Sequence, residues 1–172
     1  GKLHYTLWHT LAFLDDPKPN VLLGDSRMAL FNASGVEELT GEPYFNLSFG
    51  GGTIPETVDA FRIADQHAEL DSVVIRLLFV NFNRFQSMNR FTESKAIAEN
   101  PLLYLTNRIV AQAAFYVTVS QLQGRAVAIG KPPMDRDAFW RYQLGDAIGA
   151  HYNRFVYPPE HLEALREVAE YC

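Results

Sequence analysis

Apolar residues fall at Leu3, Leu7, Trp8, Leu11 and Leu14, a helical spacing that stops before Asp15-Asp16-Pro17, so the chain is expected to open with an amphipathic helix leading into a turn. Val21-Leu22-Leu23 is a short continuous apolar run entering Gly24, as expected for a strand buried on both faces of a parallel sheet. A helix and turn near residues 28–39 and a second strand over 44–49 complete a first βαβ unit. Thr53, Pro55 and Glu56 read as a capped helix start, with the glutamate reaching back to the cap and the helix running to about residue 70. Residues 72–80, SVVIRLLFV, carry the strongest strand signal and are expected to form a central strand. The polar stretch 81–100 reads as a long loop. Pro101 opens an apolar helix expected to run through residue 122 and end at Gly124. A strand over 125–129, a break at Lys131-Pro132-Pro133, a short helix near Asp135 and an amphipathic helix over 159–171 follow. The alternation predicts a single α/β domain over residues 1–172 with a parallel sheet.

Composition narrows this picture. With 172 residues, 48% of them apolar, the chain can bury the core of one compact domain. A formal net charge of −5 provides no field that would gather polyanions, so nucleic acid is not expected as a partner. Cys172 is the single cysteine, which rules out an internal disulfide and a thiolate metal cage. No histidine, aspartate or glutamate pair has recognisable ligand spacing, so neither a metal nor a cofactor is expected. No stretch reaches the roughly 18–20 continuous apolar residues that a membrane-spanning helix needs.

Chemistry concentrates where strands end. Gly24-Asp25-Ser26-Arg27 follows the first strand and puts a hydroxyl at the carboxyl edge of a parallel sheet, where open α/β folds bind ligands. An ordinary turn explains the same residues, because Gly and Asp favour turns. Asn46 through Thr53 follows the second strand, and its glycines can bring backbone N–H groups close to a substrate oxygen. A phosphate loop would need a Lys-Ser/Thr pair or a spaced dinucleotide fingerprint after the glycines, and both are missing. Asn81-Phe82-Asn83 follows the third strand, and an asparagine amide there can donate to the same oxygen.

In this order Gly24-Asp25-Ser26, Gly51 and Asn81 resemble the first three blocks of the SGNH (GDSL-like) hydrolase family, over residues 21–83. The resemblance implies a three-layer αβα, flavodoxin-like fold and an acyl-serine intermediate. It implies Ser26 as nucleophile, with the Ser26 N–H, Gly51 and Asn81 holding the oxyanion. The third block departs from the family pattern: Phe79 stands where glycine is usual and Phe82 where aspartate is usual, which keeps Asn83 as a reserve donor. Gly24 to Arg27, the stretch after Asn83 and Trp140-Arg141-Tyr142 are also similar to envelope members related to the alginate O-acetylation and lipoteichoic acid D-alanylation proteins. That likeness implies an O-acylated carbohydrate or smaller acylated substrate. It also implies an extracytoplasmic or membrane-anchored location, with a tether or partner segment outside this chain.

The family takes its base from an Asp-x-x-His, and the sequence contains none. His4 and His9 read as surface or packing residues of the first helix, His67 as solvated, and His151 has no clear place. His161 is the candidate base because it precedes the closing helix, although Pro158 occupies the aspartate position and a water-facing helix-start histidine is the plain alternative. The other expectation is that the chain is cut before its last strand, with the catalytic Asp and His beyond Cys172, since the closing helix lacks a glycine cap.

Three functions compete. The first is a serine esterase or O-acyltransferase in which Arg27 orients substrate, a surface salt bridge being the other reading of that residue. The second is a non-catalytic SGNH-like module that binds glycan or a partner, and the third a nucleotide binder using Gly50 to Gly52. Phe139, Trp140 and Tyr142 suit either a sugar platform or core packing.

Overall fold

The computed structural model describes residues 5–86, 88–125 and 156–171. His4, His151, the expected strand over 125–129 beyond Arg125, the helix near Asp135 and the aromatic stretch from Phe139 to Tyr142 lie outside the described residues. Within them the chain is mixed α/β, with seven α-helices and a three-stranded parallel sheet.

Strands β1 (Asn20–Leu23), β2 (Tyr44–Asn46) and β3 (Ser72–Ile75) run parallel in the order β2-β1-β3. Val21 lies opposite Phe45 on one side and Val73 on the other, so β1 is hydrogen-bonded along both edges. All four of its residues are buried, as its uninterrupted apolar run requires. The expected central role of residues 72–80 is corrected: among the described residues β1 is the middle strand, and β3 stops at Ile75. A tight turn over Phe79–Phe82 follows, closed where Asn81 Oδ1 accepts from the Leu78 amide at 2.9 Å. An apolar run records the chance of burial, not strand order, and Val74 and Leu77 of that run stay exposed.

Helices α1 (Tyr5–Asp15), α3 (Ile54–His67), α4 (Phe91–Glu99) and α7 (Glu160–Tyr171) share one core with the sheet. Phe13 of α1, Val21 and Leu23 of β1, Phe61 and Ile63 of α3, Phe91 of α4 and Val168 of α7 meet there. Each large apolar side chain so buried contributes about 1.5–3 kcal/mol. The expected helix start at Thr53 is present in full: Thr53 Oγ1 accepts from the Glu56 amide at 3.3 Å, and Glu56 Oε2 accepts from the Thr53 amide at 3.0 Å. Helix α2 (Ala33–Thr40) connects β1 to β2 and packs on β2.

Two expectations about elements fail for local reasons. The loop expected over 81–100 contains α4, started by Asn89, whose Oδ1 accepts from the Phe91 and Thr92 amides at 3.0 and 3.1 Å. The single helix expected over 101–122 is two, α5 (Pro101–Thr106) and α6 (Arg108–Leu122). Asn107 separates them in an extended conformation and caps α6 through the Ile109 amide at 2.7 Å. Among the described residues no helix is long and apolar enough to cross a membrane.

Candidate functional site

All three strands deliver their following loops to the same edge of the sheet, and the strand order puts a topological switch beside β1. Chain connections diverge at such a point and leave a crevice at the carboxyl ends of the strands. The first loop turns on Asp25, whose Oδ1 accepts from the Arg27 amide at 3.0 Å and stands 3.7 Å from an Arg76 guanidinium nitrogen. Asp25 is buried and shapes the turn, whereas Ser26 is exposed. Asn46, at the end of β2, fastens the chain just past this turn by donating to the Met28 and Phe31 carbonyls at 2.8 and 2.9 Å.

The glycine loop rests directly on the turn that carries Ser26. A Cβ added to Gly52 would stand 2.6 Å from the Gly24 carbonyl oxygen and 3.3 Å from Asp25 Cα, so this approach admits only glycine. Gly51 adopts φ +71°, which lets the chain reverse between Phe49 and Thr53, and the Gly52 amide donates back to the Phe49 carbonyl at 3.0 Å. The third loop joins through Asn81, whose Nδ2 donates to the Gly52 carbonyl at 3.0 Å. One Nδ2 hydrogen serves that bond, and the amide carries two.

The loops that hold Ser26, Gly51 and Asn81 are therefore in contact, with Gly52 as the shared point. Among the described residues, the backbone N–H groups of Ser26 and Gly51 carry no hydrogen bond. Asn83 has a different setting: fully buried, its Oδ1 accepts from the Phe85 amide at 3.3 Å and the Val156 amide at 3.4 Å. It ties the third loop to the segment before α7, where Arg84 also donates to the Val156 carbonyl at 2.8 Å. The Arg27 side chain is exposed and forms no ion pair among the described residues, so the salt-bridge reading of it finds no partner there.

His161 does not face water, contrary to the plain alternative: it is 5% exposed at the start of α7, and its Nδ1 is buried without a hydrogen-bond partner. Burial pushes its pKa below the ordinary histidine value, and the Glu160 carboxylate opposes part of that shift. Among the described residues neither the Ser26 hydroxyl nor the His161 ring takes part in a side-chain hydrogen bond, so the two are not bonded to each other. His9 takes the packing alternative of its expected roles, its ring tilted at 36° to that of Tyr5 with centroids 4.1 Å apart and its Nδ1 3.2 Å from the Asn46 carbonyl. Its pKa is also lowered by burial, partly offset by that hydrogen bond. His67 is exposed, its Nδ1 2.8 Å from the Ile63 carbonyl.

Sequence reasoning missed a pair that braces the rim, Glu56 and Arg90. Glu56 is fully buried, and its Oε1 accepts from the Arg90 backbone N–H at 2.7 Å and from Arg90 Nε at 2.9 Å. Its Oε2 accepts from Arg90 Nη2 at 3.1 Å in addition to the Thr53 amide. Arg90 Nη2 also donates to the Gly50 and Gly51 carbonyls at 3.0 and 3.2 Å, and its guanidinium lies 5.7 Å from the Phe49 ring centroid. The capping-box pattern located Glu56, but no local signal pairs it with an arginine 34 residues on.

A cavity of about 320 Å³ is lined by Leu7, Trp8 and Leu11 of α1 and by residues of α5 and α6, with no wall from the three loops. Among the described residues no group of three or more His, Cys, Asp or Glu side chains is placed to hold a metal ion. Comparison with protein-family models, with curated proteins and with solved structures returns no match for this chain.

Proposed function

We propose that the chain is an SGNH-like domain of three-layer, flavodoxin-like architecture, and that it acts as a serine esterase or O-acyltransferase on O-acylated, carbohydrate-type substrates. Ser26 Oγ attacks the ester carbonyl, forming the acyl bond as its proton passes to a base, and the alcohol leaves with a proton returned by that base. Water or an acceptor hydroxyl then takes the acyl group and frees the serine. The Ser26 and Gly51 N–H groups, with the remaining Asn81 amide hydrogen, are assigned to the oxygen that becomes negative on attack. His161 is assigned the base role, because burial keeps its imidazole neutral and able to accept a proton at neutral pH.

The observation that carries this reading is the contact of the three loops at Gly52, in loops where Ser26 is exposed and the Ser26 and Gly51 N–H groups carry no hydrogen bond among the described residues. A second reading, a non-catalytic module binding glycan or a partner at the same rim, is favoured by the lack of a hydrogen bond between Ser26 and His161. A fluorophosphonate probe separates them. The esterase reading expects covalent labelling that maps to Ser26, disappears in Ser26→Ala and falls at least tenfold in His161→Ala, by analogy with the loss of a general base. An unlabelled, folded wild-type protein would leave the binding module as the better account.

A further inference from the structure

We infer that Arg90 is a positioning residue that fixes the direction of the Gly51 N–H, acting as a brace behind the glycine loop. The inference rests on the esterase reading for its chemical purpose, while its structural half stands on the loop geometry alone. A trans peptide is planar, with its C=O and N–H pointing in opposite directions. Arg90 Nη2 holds the Gly50 carbonyl at 3.0 Å, so the N–H of that same peptide, which belongs to Gly51, must point away from the guanidinium. The Gly51 carbonyl is held by the same nitrogen at 3.2 Å, and the N–H of its peptide, that of Gly52, is already spent on Phe49. Of the two amides set by Arg90, Gly51 is thus the one left available.

Without the brace this direction is poorly determined. Neighbouring glycines rotate with little steric cost, and a flip of the Gly50–Gly51 peptide would turn the donor to the wrong side. With the brace, a flip would aim an N–H at a cation and break an Arg90 bond. Glu56 holds the guanidinium in place, since it is buried and receives both Nε and Nη2. The positive charge also polarises the peptide it binds, which makes the opposite N–H a stronger donor toward a developing anion.

The test uses the whole chain with the fluorophosphonate probe and an aryl acetate substrate, comparing wild type, Arg90→Ala and Arg90→Lys. Loss of one oxyanion donor lowers kcat by about 100- to 1,000-fold, so a misaligned donor is expected to cost about 10- to 100-fold. The loss should fall on kcat and the labelling rate, with KM changed less than about twofold, because the interaction forms in the transition state. Millimolar guanidinium is expected to restore part of the rate to Arg90→Ala. An Arg90→Ala protein that keeps its fold by circular dichroism and labels at the wild-type rate overturns the inference. If Arg90→Ala does not fold, Arg90→Lys decides in its place: it keeps the charge without the fork, so a wild-type rate overturns and a reduced rate supports. Should wild type itself fail to label, the esterase reading falls separately, and the brace is read from the Gly51 amide by NMR. A Gly51 amide resonance that shifts or broadens in Arg90→Ala and returns with guanidinium supports the brace, and an unchanged resonance overturns it.

Discussion

At the scale of single residues, Gly52 is the tightest point of the rim. Adding one methyl there brings it 2.6 Å from a backbone oxygen, which cannot rotate aside as a side chain would. Gly52→Ala is therefore expected to cost about 1–3 kcal/mol, the usual penalty for overpacking. In a chain of this length that is a fall in Tm of about 3–10 °C, read by thermal melting, and labelling of Ser26 should fall with it. Ser26, Gly51 and Asn81 could be singled out as candidates because each lies in the loop that follows a strand, three, five and six residues beyond Leu23, Asn46 and Ile75, and residue type and loop position are local facts. Asn81 has a second duty that its sequence position conceals, since its oxygen closes the turn after Leu78 while its nitrogen reaches Gly52. Arg90 stayed hidden for the opposite reason. A lone arginine in a polar stretch looks like any solvated cation, and only folding reveals the buried carboxylate awaiting it.

At the scale of elements, helix starts were readable where caps coincide with a change in apolar period, as at Thr53, and obscured where they do not. Asn107 lies in the short polar interruption Thr106-Asn107-Arg108, and apolar residues resume at once on its far side, so the period alone does not reveal the cap that divides α5 from α6. Helix α4 was missed because only Phe91, Ser94 and Ile97 turn inward, too few positions to set a period. The attachment of α1 to the sheet depends heavily on one ring. Phe13 is fully buried and meets Phe45 edge-on, with centroids 5.2 Å apart at 73°. Phe13→Ala is expected to destabilise the fold by about 3–5 kcal/mol, measured as a lower urea midpoint, because the core cannot collapse onto the space left. Strand order was not readable at all: hydrophobicity ranks 72–80 first, while the middle place belongs to the shorter run at 20–23.

For the whole molecule, pH acts on stability through the imidazoles of His9 and His161, both lowered in pKa by burial. Unfolding frees each of them to take up a proton near the ordinary value of about 6.5. Their contribution is thus complete above that pH and is lost as pH falls through the lower folded-state values. Tm should decline between pH 7 and 5, and His161→Gln, which cannot titrate, should make the decline shallower; an equal slope in the variant would remove His161 from the explanation. Different forces hold the two storeys of this molecule. The floor beneath the rim is Val21, Leu23, Phe61 and Phe91, joined by apolar contact, whereas the rim itself hangs on Asp25, Asn46, Asn81 and the Glu56–Arg90 pair. Its shape is consequently written in dipoles and charge, so a solute that competes for peptide groups can disorganise the mouth while the foundation stays dry and closed. Loss of the rim's arrangement and loss of compactness become two separate events along one titration.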